Sequence, residues 1–196
     1  MNLDLTKKYT YDDYYSWGEE VPRCELIDGI VYMSPAPLAN HQRIIHRLNL
    51  IFGNYLDSKK STCEVFPAPF DVRLNADGAD DITVQPDLSI ICDPRKVDTR
   101  GGIGAPDLIV EILSKSTMKH DTVLKHEKYR EAGVLEYWIV NPFSMSVHVN
   151  TLVDEQYVVR SYADNMAIKS DVFADLMVKT NDIFPPGMKE ETDDGA

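Results

Sequence analysis

The sequence predicts a mixed β-sheet flanked by helices, in the α/β or α+β class, because strand-like and helix-like segments alternate along the chain. An Asp28-Gly29 pair between two short apolar stretches predicts an N-terminal β-hairpin with a type I′ turn. Apolar residues at helical spacing predict one long helix over residues 40–58. Two continuous apolar runs, near 84–92 and 107–114, predict strands that are buried on both faces.

The remaining elements complete this order. Thr10 is suited to cap a short aromatic helix, and Asn40 is suited to cap the long one. A later helix is predicted to open at Thr117 and to end before Gly133, a typical C-cap residue. Residues 66–74 alternate between apolar and polar, which predicts a half-buried strand whose prolines favour an edge or a bulge. Further segments are predicted as a flexible Gly-rich loop at 98–106 and as strands at 136–140, 145–149 and 156–162.

Length and composition are those of one globular domain. The 196 residues include 43% hydrophobic and 27% charged residues, which is ordinary for a protein with a sizeable core. We expect a single domain over residues 1–185, followed by an acidic, disordered tail at 186–196. No apolar run is long enough to span a membrane, and the N-terminus lacks an apolar signal core, so we expect a cytoplasmic protein.

Charge and cysteine content narrow the function classes. A net charge of -12 argues against a general nucleic-acid binder, which usually carries a basic surface. Acids gathered at a metal site would also add to this charge until a cation binds. The three cysteines form no C-x-x-C pair, and their odd number predicts reduced thiols that pack as small hydrophobes: Cys24, Cys63 and Cys92.

Each of the two apolar runs contains one acidic residue, Asp87 in the first and Glu111 in the second. Acidic side chains are seldom buried unless they are paired or bind a metal. If the two strands are neighbours, about 4.8 Å apart, both carboxylates can reach one ion. The alternative is a solvated acid at a strand end, which Pro86 makes credible for Asp87, whereas the apolar neighbours of Glu111 argue against it.

Other acids and a histidine are weaker candidates. Asp107 follows a proline as Asp87 does, but it lies four residues before Glu111 on the same strand, about 13 Å away at the usual rise. That is too far to share one ion, so Asp107 is predicted to begin the strand. Glu25 precedes the hairpin turn. His41 and Gln42 open the long helix, and this helix end could face a phosphate because a helix N-terminus favours anions.

The later helix supplies a polar stripe. Asp121, Lys125 and Tyr129 recur every four positions and therefore share one helical face. The alternative is a surface salt bridge beside a packed tyrosine, and in isolation that interpretation would be favoured. Beside an acidic metal site, Lys125 becomes a candidate to hold an attacking water or to stabilise charge that develops on a phosphate.

Several familiar motifs are excluded. Residues 101–104 are glycine-rich but are not followed by Gly-Lys-Ser/Thr and do not open a helix, so they predict neither a P-loop nor a dinucleotide site. His41 and His46 are five residues apart and do not share a helical face, which disfavours a zinc pair. Three other histidines have no ligand spacing: His120, His126 and His148.

Five motifs occur in order along residues 9–185: Glu25-Leu-Ile-Asp-Gly, Gln85-Pro-Asp87, Glu111-Ile-Leu-Ser-Lys-Ser-Thr, Asp121-x3-Lys125-x3-Tyr129 and Gly133-Val-Leu-Glu-Tyr-Trp-Ile-Val-Asn-Pro142. Together they resemble the Uma family of restriction-endonuclease-like proteins, in the PD-(D/E)XK nuclease superfamily. The resemblance implies a restriction-endonuclease-like core, a mixed sheet flanked by helices, with metal ligands at Asp87 and Glu111 and with Glu25 nearby. The superfamily lysine normally follows the second acid by two residues, where this chain has Leu113. The resemblance implies that the following helix supplies the lysine, which matches Lys125.

We therefore expect a Mg²⁺-dependent endonuclease that hydrolyses phosphodiester bonds of DNA, with Mn²⁺ as a second suitable ion. Asp87, Glu111 and the Ile112 carbonyl would bind the ion, and Lys125 would orient the attacking water. Two residues of the same helix would position Lys125: Asp121 and Tyr129.

Two further expectations concern alternatives and assembly. The alternative function is a catalytically inactive binding or assembly module of the same fold, which Leu113 and the acidic composition favour. We also expect a homodimer, because related nuclease folds commonly pair. The aromatic segment 11–17 could supply one contact, and its packing onto its own core is the alternative.

Overall fold

The computed structural model describes residues 3–115, 118–184 and 187–188, without the side chain of Glu19. The described helices are α1 (Tyr11–Ser16), α2 (Ala39–Lys59), α3 (His126–Ala132) and α4 (Thr180–Ile183), with a π-helix at His120–Lys125 that continues into α3. The described strands are β1 (Cys24–Ile27), β2 (Ile30–Met33), β3 (Glu64–Pro67), β4 (Val72–Arg73), β5 (Thr83–Val84), β6 (Leu88–Ile91), β7 (Val97–Asp98), β8 (Gly101–Ile103), β9 (Leu108–Ile112), β10 (Glu136–Asn141), β11 (Ser146–Val153), β12 (Gln156–Tyr162), β13 (Ala167–Ile168) and β14 (Val178–Lys179).

The strands form two large mixed sheets. The first has the order β2-β1-β5-β4-β8-β7, and the second has the order β12-β11-β10-β9-β6-β3. Each contains one parallel pair, β4 with β8 and β9 with β10, among antiparallel neighbours. The predicted class, a mixed sheet with helices, is confirmed. β13 and β14 form a separate small pair.

The N-terminal region follows the sequence closely. Asp28 and Gly29 have φ angles of 53° and 78°, as a type I′ turn between β1 and β2 requires. The Thr10 side chain caps α1 by accepting a hydrogen bond from Asp13 N. Tyr11 and Trp17 are buried, so these two side chains of the aromatic segment pack onto the core of their own chain, while Tyr15 is exposed.

Helix α2 packs one face against the second sheet. Ile44, Leu48, Phe52 and Leu56 are buried at helical spacing and join a core with Trp138, whose ring lies 5.4 Å from that of Phe52. The burial of these large side chains removes an apolar helix face and an apolar sheet face from water together. This packing fixes the start of α2 beside the ends of β6 and β9.

The predicted cap of α2 is wrong. Leu38, which has no polar side chain, is the N-cap residue, and Asn40 lies inside the helix. Asn40 Oδ1 accepts a hydrogen bond from Arg43 Nη1, a side chain of the same helix, at 2.7 Å.

Two predicted strands are each divided between the two sheets. The segment 66–74 gives β3 to the second sheet and β4 to the first, and 84–92 gives β5 to the first and β6 to the second. Both breaks contain proline, at Pro69 and Pro86, which cannot donate a ladder hydrogen bond. β3 does lie at a sheet edge, as its prolines predicted. The second break places Asp87 where the chain passes between sheets.

The segment 98–106 is not the flexible loop that was predicted, because Gly101–Ile103 forms β8 and pairs with β4. Gly101 has a φ of +140°, and a Cβ added there would lie 2.3 Å from the Asp71 carbonyl oxygen. The glycine run therefore serves a close backbone approach.

The expectation of three reduced thiols is also wrong. Cys63 and Cys92 form a disulfide, while Cys24 is a free, buried thiol. Glu64 pairs with Ile91 across β3 and β6, which sets the two bonded cysteines side by side where these strands end. A sequence separation of 29 gave no sign of this cross-strand pairing.

Two expectations fall partly outside the described residues. Thr117 lies outside them, as does the tail at 186–196 apart from residues 187–188. Among the helices that are described, none is long and apolar enough to cross a bilayer.

We expect Gly101→Ala to lower the free energy of unfolding by roughly 1–3 kcal/mol, because its Cβ collides with the Asp71 carbonyl in a backbone conformation that suits glycine. Gly53→Ala is the matched control. It adds a Cβ within α2 with no heavy atom within 4 Å, and it should stabilise the protein by about 0.5–1 kcal/mol. Urea unfolding followed by circular dichroism measures both variants. A Gly101→Ala protein as stable as the wild type would contradict the close approach.

Candidate active site

Asp87 and Glu111 lie alongside each other, as predicted from the two apolar runs. β6 pairs with β9 so that Leu88 is opposite Val110, which brings the preceding residue, Asp87, beside Glu111. Asp87 Oδ2 accepts a hydrogen bond from Ile112 N at 2.8 Å. Both side chains line the same cavity, and their exposures are only 7% and 3%. The two carboxylates therefore share one face of the sheet.

Lys125 reaches Glu111 from the π-helix. Its Nζ lies 2.9 Å from Glu111 Oε1, 2.8 Å from Glu25 Oε1 and 3.5 Å from Asp121 Oδ1. Tyr129 donates its hydroxyl hydrogen bond to Glu111 Oε1 at 2.7 Å. The predicted stripe is thus on one face, although its first half is π-helical and not α-helical. π-helical turns are rare and frequent at functional sites.

Glu25 comes from the first sheet. It lies in the middle of β1, where it pairs with Tyr32 of β2. Its Oε1 accepts a hydrogen bond from Gln85 N at 2.7 Å, and its Oε2 is 3.6 Å from His120 Nε2. One ammonium group, that of Lys125, therefore joins carboxylates from both sheets.

His41 occupies the start of α2 and faces Asp87, with 3.1 Å between His41 Nε2 and Asp87 Oδ2. Sequence reasoning had given it only a weak role near a phosphate. It had set His120 aside for lack of ligand spacing, and it had passed over Gln85 and Arg23, which also line the cavity. Their separation along the chain gave no periodic signal, and only the motif Gln85-Pro-Asp87 pointed to this place.

Asp107, the competing acid, is not part of this site. It precedes β9, and its Oδ2 accepts a hydrogen bond from Cys92 N at 2.7 Å. It therefore begins the strand, as predicted.

Burial and neighbouring charges shift the pKa values of the clustered groups in different directions. Burial raises the pKa of Glu111 well above its usual range, and neighbouring carboxylates add to this effect despite Lys125. Burial also raises the pKa of Glu25, but the charge of Lys125 and hydrogen bonds from its neighbours outweigh it and bring the value to about 2. Burial opposes the charge of Lys125, yet the surrounding carboxylates raise its pKa well above the usual value. The ammonium therefore remains charged.

The pKa of His41 is also set by burial and by a neighbouring charge. Burial lowers its pKa, but the hydrogen bond and charge of Asp87 prevail, and the net shift is upward. Each acid at the cavity floor is thus matched with a cationic or proton-donating neighbour.

The donor set fits a hard divalent cation. Among the described residues, no three His, Cys, Asp or Glu side chains converge as a complete metal cage, because Lys125 stands among three of the carboxylates. Mg²⁺, however, typically takes only one or two protein carboxylates and completes its shell with waters and substrate oxygens. Asp87 and Glu111 meet that requirement, and the buried acids outnumber the lysine beside them.

The chain is similar to known proteins over most of its length. The Uma2 family model, described as "Putative restriction endonuclease", matches residues 11–180. The chain is 30% identical over 170 residues to the uncharacterized protein slr1290 of Synechocystis sp., covering 83% of this chain and 86% of that protein. It is also similar to the crystal structure of a "putative nuclease belonging to DUF820" from Anabaena variabilis, with a TM-score of 0.73 and 20% identity. That likeness covers 90% of this chain and 97% of the other and supports the fold.

We expect Lys125→Met to destabilise the protein by roughly 3–5 kcal/mol at neutral pH, because it leaves buried carboxylates without their counter-charge. Uncompensated acids have raised pKa values in the folded state. The loss should therefore be complete at neutral pH and should shrink as the pH falls and the carboxylates take up protons.

Lys128→Met is the matched control for this variant. Lys128 is on the same helix and pairs with a half-exposed Asp28 at 2.8 Å, so its loss should cost at most about 1 kcal/mol. Urea unfolding at several pH values compares the two variants. Equal losses would show that Lys125 does not bear the charge of the cluster.

Proposed function

This chain belongs to the Uma2 family of restriction-endonuclease-like proteins, and we propose that it is a metal-dependent endonuclease that hydrolyses phosphodiester bonds of DNA. The observation that carries this proposal is the meeting of Asp87, Glu111 and Lys125 in one cavity, where Lys125 Nζ is 2.9 Å from Glu111 Oε1. Adjacent carboxylates with a fixed ammonium are the groups that such a hydrolysis needs.

Asp87 and Glu111 would hold Mg²⁺ or Mn²⁺, with the Ile112 carbonyl as a further ligand. When bound, the ion supplies a water of lowered pKa and offsets charge on the scissile phosphate. The hydrogen bond from Ile112 N to Asp87 Oδ2 fixes the orientation of that carboxylate. Tyr129 holds Glu111 Oε1 in the same way.

Lys125 would orient the attacking water and stabilise the charge that develops on the phosphate. Asp121 and Glu25 anchor its ammonium from two other directions. Leu113 stands at the usual lysine position and is buried in the apolar core, which does not favour a charged group there. In the proposed reaction the helix would supply the amine, and the contacts of Lys125 with Glu111 and Glu25 fit that role.

We expect wild-type protein to cut plasmid DNA in the presence of Mg²⁺ or Mn²⁺, and Glu111→Gln to show no cutting. The substitution keeps the shape of the side chain and removes the charge that would bind the ion. Asp87→Asn should have the same effect. Nicking of supercoiled plasmid, resolved on agarose gels, measures this, with circular dichroism as the check on folding.

Asp107→Asn is the matched control, because Asp107 also follows a proline and precedes β9 but is not among the residues that line the cavity. It should cut as the wild type does. Cutting by Glu111→Gln equal to that of the wild type would contradict the proposal. No cutting of plasmid or of any other DNA form by the wild type, with metal bound in calorimetry, would favour the inactive binding module.

The expected homodimer is a separate proposal. In the aromatic segment 11–17, Tyr11 and Trp17 are buried within one chain, whereas Tyr15 is 56% exposed. Multi-angle light scattering should give twice the monomer mass of 22.2 kDa at high protein concentration. A monomer mass there would reject the dimer.

A further inference from the structure

The reacting groups lie at the floor of a cavity and not on a surface. Glu25, Asp87, Glu111 and Lys125 are each less than a tenth exposed, and the cavity volume is about 590 Å³. This is within the roughly 300–1,000 Å³ range of pockets that enclose small molecules. It therefore has room for a nucleotide unit but not for the width of a double helix. An unpaired nucleotide can enter such a cavity with its base, whereas a paired base is held in the stack of its duplex.

One wall of this cavity is apolar and exposed. It is formed by residues 33–38, Met-Ser-Pro-Ala-Pro-Leu, between β2 and α2, and all six line the cavity. Met33 and Leu38 are 49% and 60% exposed. The apolar side chains of this 33–38 wall can bury surface against the flat faces of unstacked bases. In a paired duplex those faces are covered by their neighbours.

The rim carries positive charge close to the wall. Arg23 is part of the cavity lining and donates to two amide oxygens of Gln85, Oε1 at 2.6 Å and the carbonyl at 3.2 Å. Because these acceptors are neutral, the guanidinium charge is available to a strand phosphate. The cavity thus presents a cation at its rim, an apolar wall and acids at its floor.

Charge density also favours an unpaired strand over a duplex. A duplex carries one negative charge per roughly 1.7 Å of axis, and one strand carries about half as many. A protein of net charge -12 repels the denser polyanion more strongly. An unpaired strand therefore meets less repulsion and gains contacts with the wall.

From these observations we infer that the cavity takes an unpaired polynucleotide strand, such as a single strand, a flap or a bubble, in preference to an intact duplex. The bases lie against the 33–38 wall and the backbone descends to Asp87 and Glu111. The cleavage part of this inference rests on the proposed nuclease function, while the binding part does not.

The test offers one labelled DNA sequence in three forms: a single strand, a perfect duplex, and a duplex with a central unpaired bubble. With Mn²⁺, the single strand and the bubble should be cut at least about tenfold faster than the perfect duplex, on the scale of a base–side-chain contact. Glu111→Gln is the control for contaminating nucleases. Equal or faster cutting of the perfect duplex would overturn the inference.

Binding separates failure of this inference from failure of the nuclease proposal. Fluorescence anisotropy with Ca²⁺ in place of Mn²⁺ measures affinity for the same three DNA forms without relying on cleavage. Tighter binding of the single strand supports the inference even if no form is cut. Equal or weaker binding of the single strand overturns it, whatever the outcome of the cleavage assay.

Variants of the wall identify the contact surface. Met33→Ser combined with Leu38→Ser should weaken single-strand binding by about tenfold and leave duplex binding unchanged. Met166→Ser combined with Leu135→Ser is the matched control, because these side chains are 49% and 48% exposed and lie outside the cavity. Unchanged single-strand affinity in the wall variant, with its fold confirmed by circular dichroism, would overturn the role of the 33–38 wall.

Discussion

The buried ammonium group of Lys125 is the interaction on which the site depends. It binds Glu25 of the first sheet, Glu111 of the second sheet and Asp121 of its own π-helix within 3.5 Å. Each of these carboxylates would be costly to bury alone. Their mutual repulsion and desolvation are offset only where the ammonium stands, so the relative position of two sheets and one helix is tied to a single side chain.

The three-residue crossing between β5 and β6 completes this connection. Gln85 donates its backbone N–H to Glu25 in the first sheet, and Asp87 accepts from Ile112 N in the second. Pro86 between them cannot donate to either ladder, so the chain is free to leave one sheet and enter the other. The cavity therefore forms where the sheets exchange a strand, and the position of Asp87 is a consequence of that exchange.

Because the cavity forms where the two sheets exchange a strand, the sequence could predict only those features that depend on local patterns. The Asp28-Gly29 turn and the stripe of Asp121, Lys125 and Tyr129 depend on local backbone preference and helical period, and both are found. The burial of Glu111 followed from its apolar neighbours. The division of 66–74 and 84–92 between sheets, the pairing of β8 and the Cys63–Cys92 disulfide depend on contacts distant in sequence. No periodicity within one segment carries that information.

Two histidines of the site were also difficult to predict, because their partners are distant in sequence. His41 and His120 come from different helical segments and meet different carboxylates, Asp87 and Glu25. Neither shows ligand spacing, because each completes a pair and not a cluster. Only the three-dimensional arrangement reveals that each of these histidines lies beside a carboxylate of the cavity floor.

The acidic composition and the nuclease fold are compatible once the site is seen as a cavity. A basic surface would bind any nucleic acid through its phosphates, with little regard to form. A protein of net charge -12 lacks that general attraction, so under the proposed function its affinity would have to come from short-range contacts inside the cavity. Those contacts would act only on a strand that can enter. Long-range repulsion together with short-range contacts in the cavity would then select accessible strands, and the same negative charge would limit indiscriminate cutting.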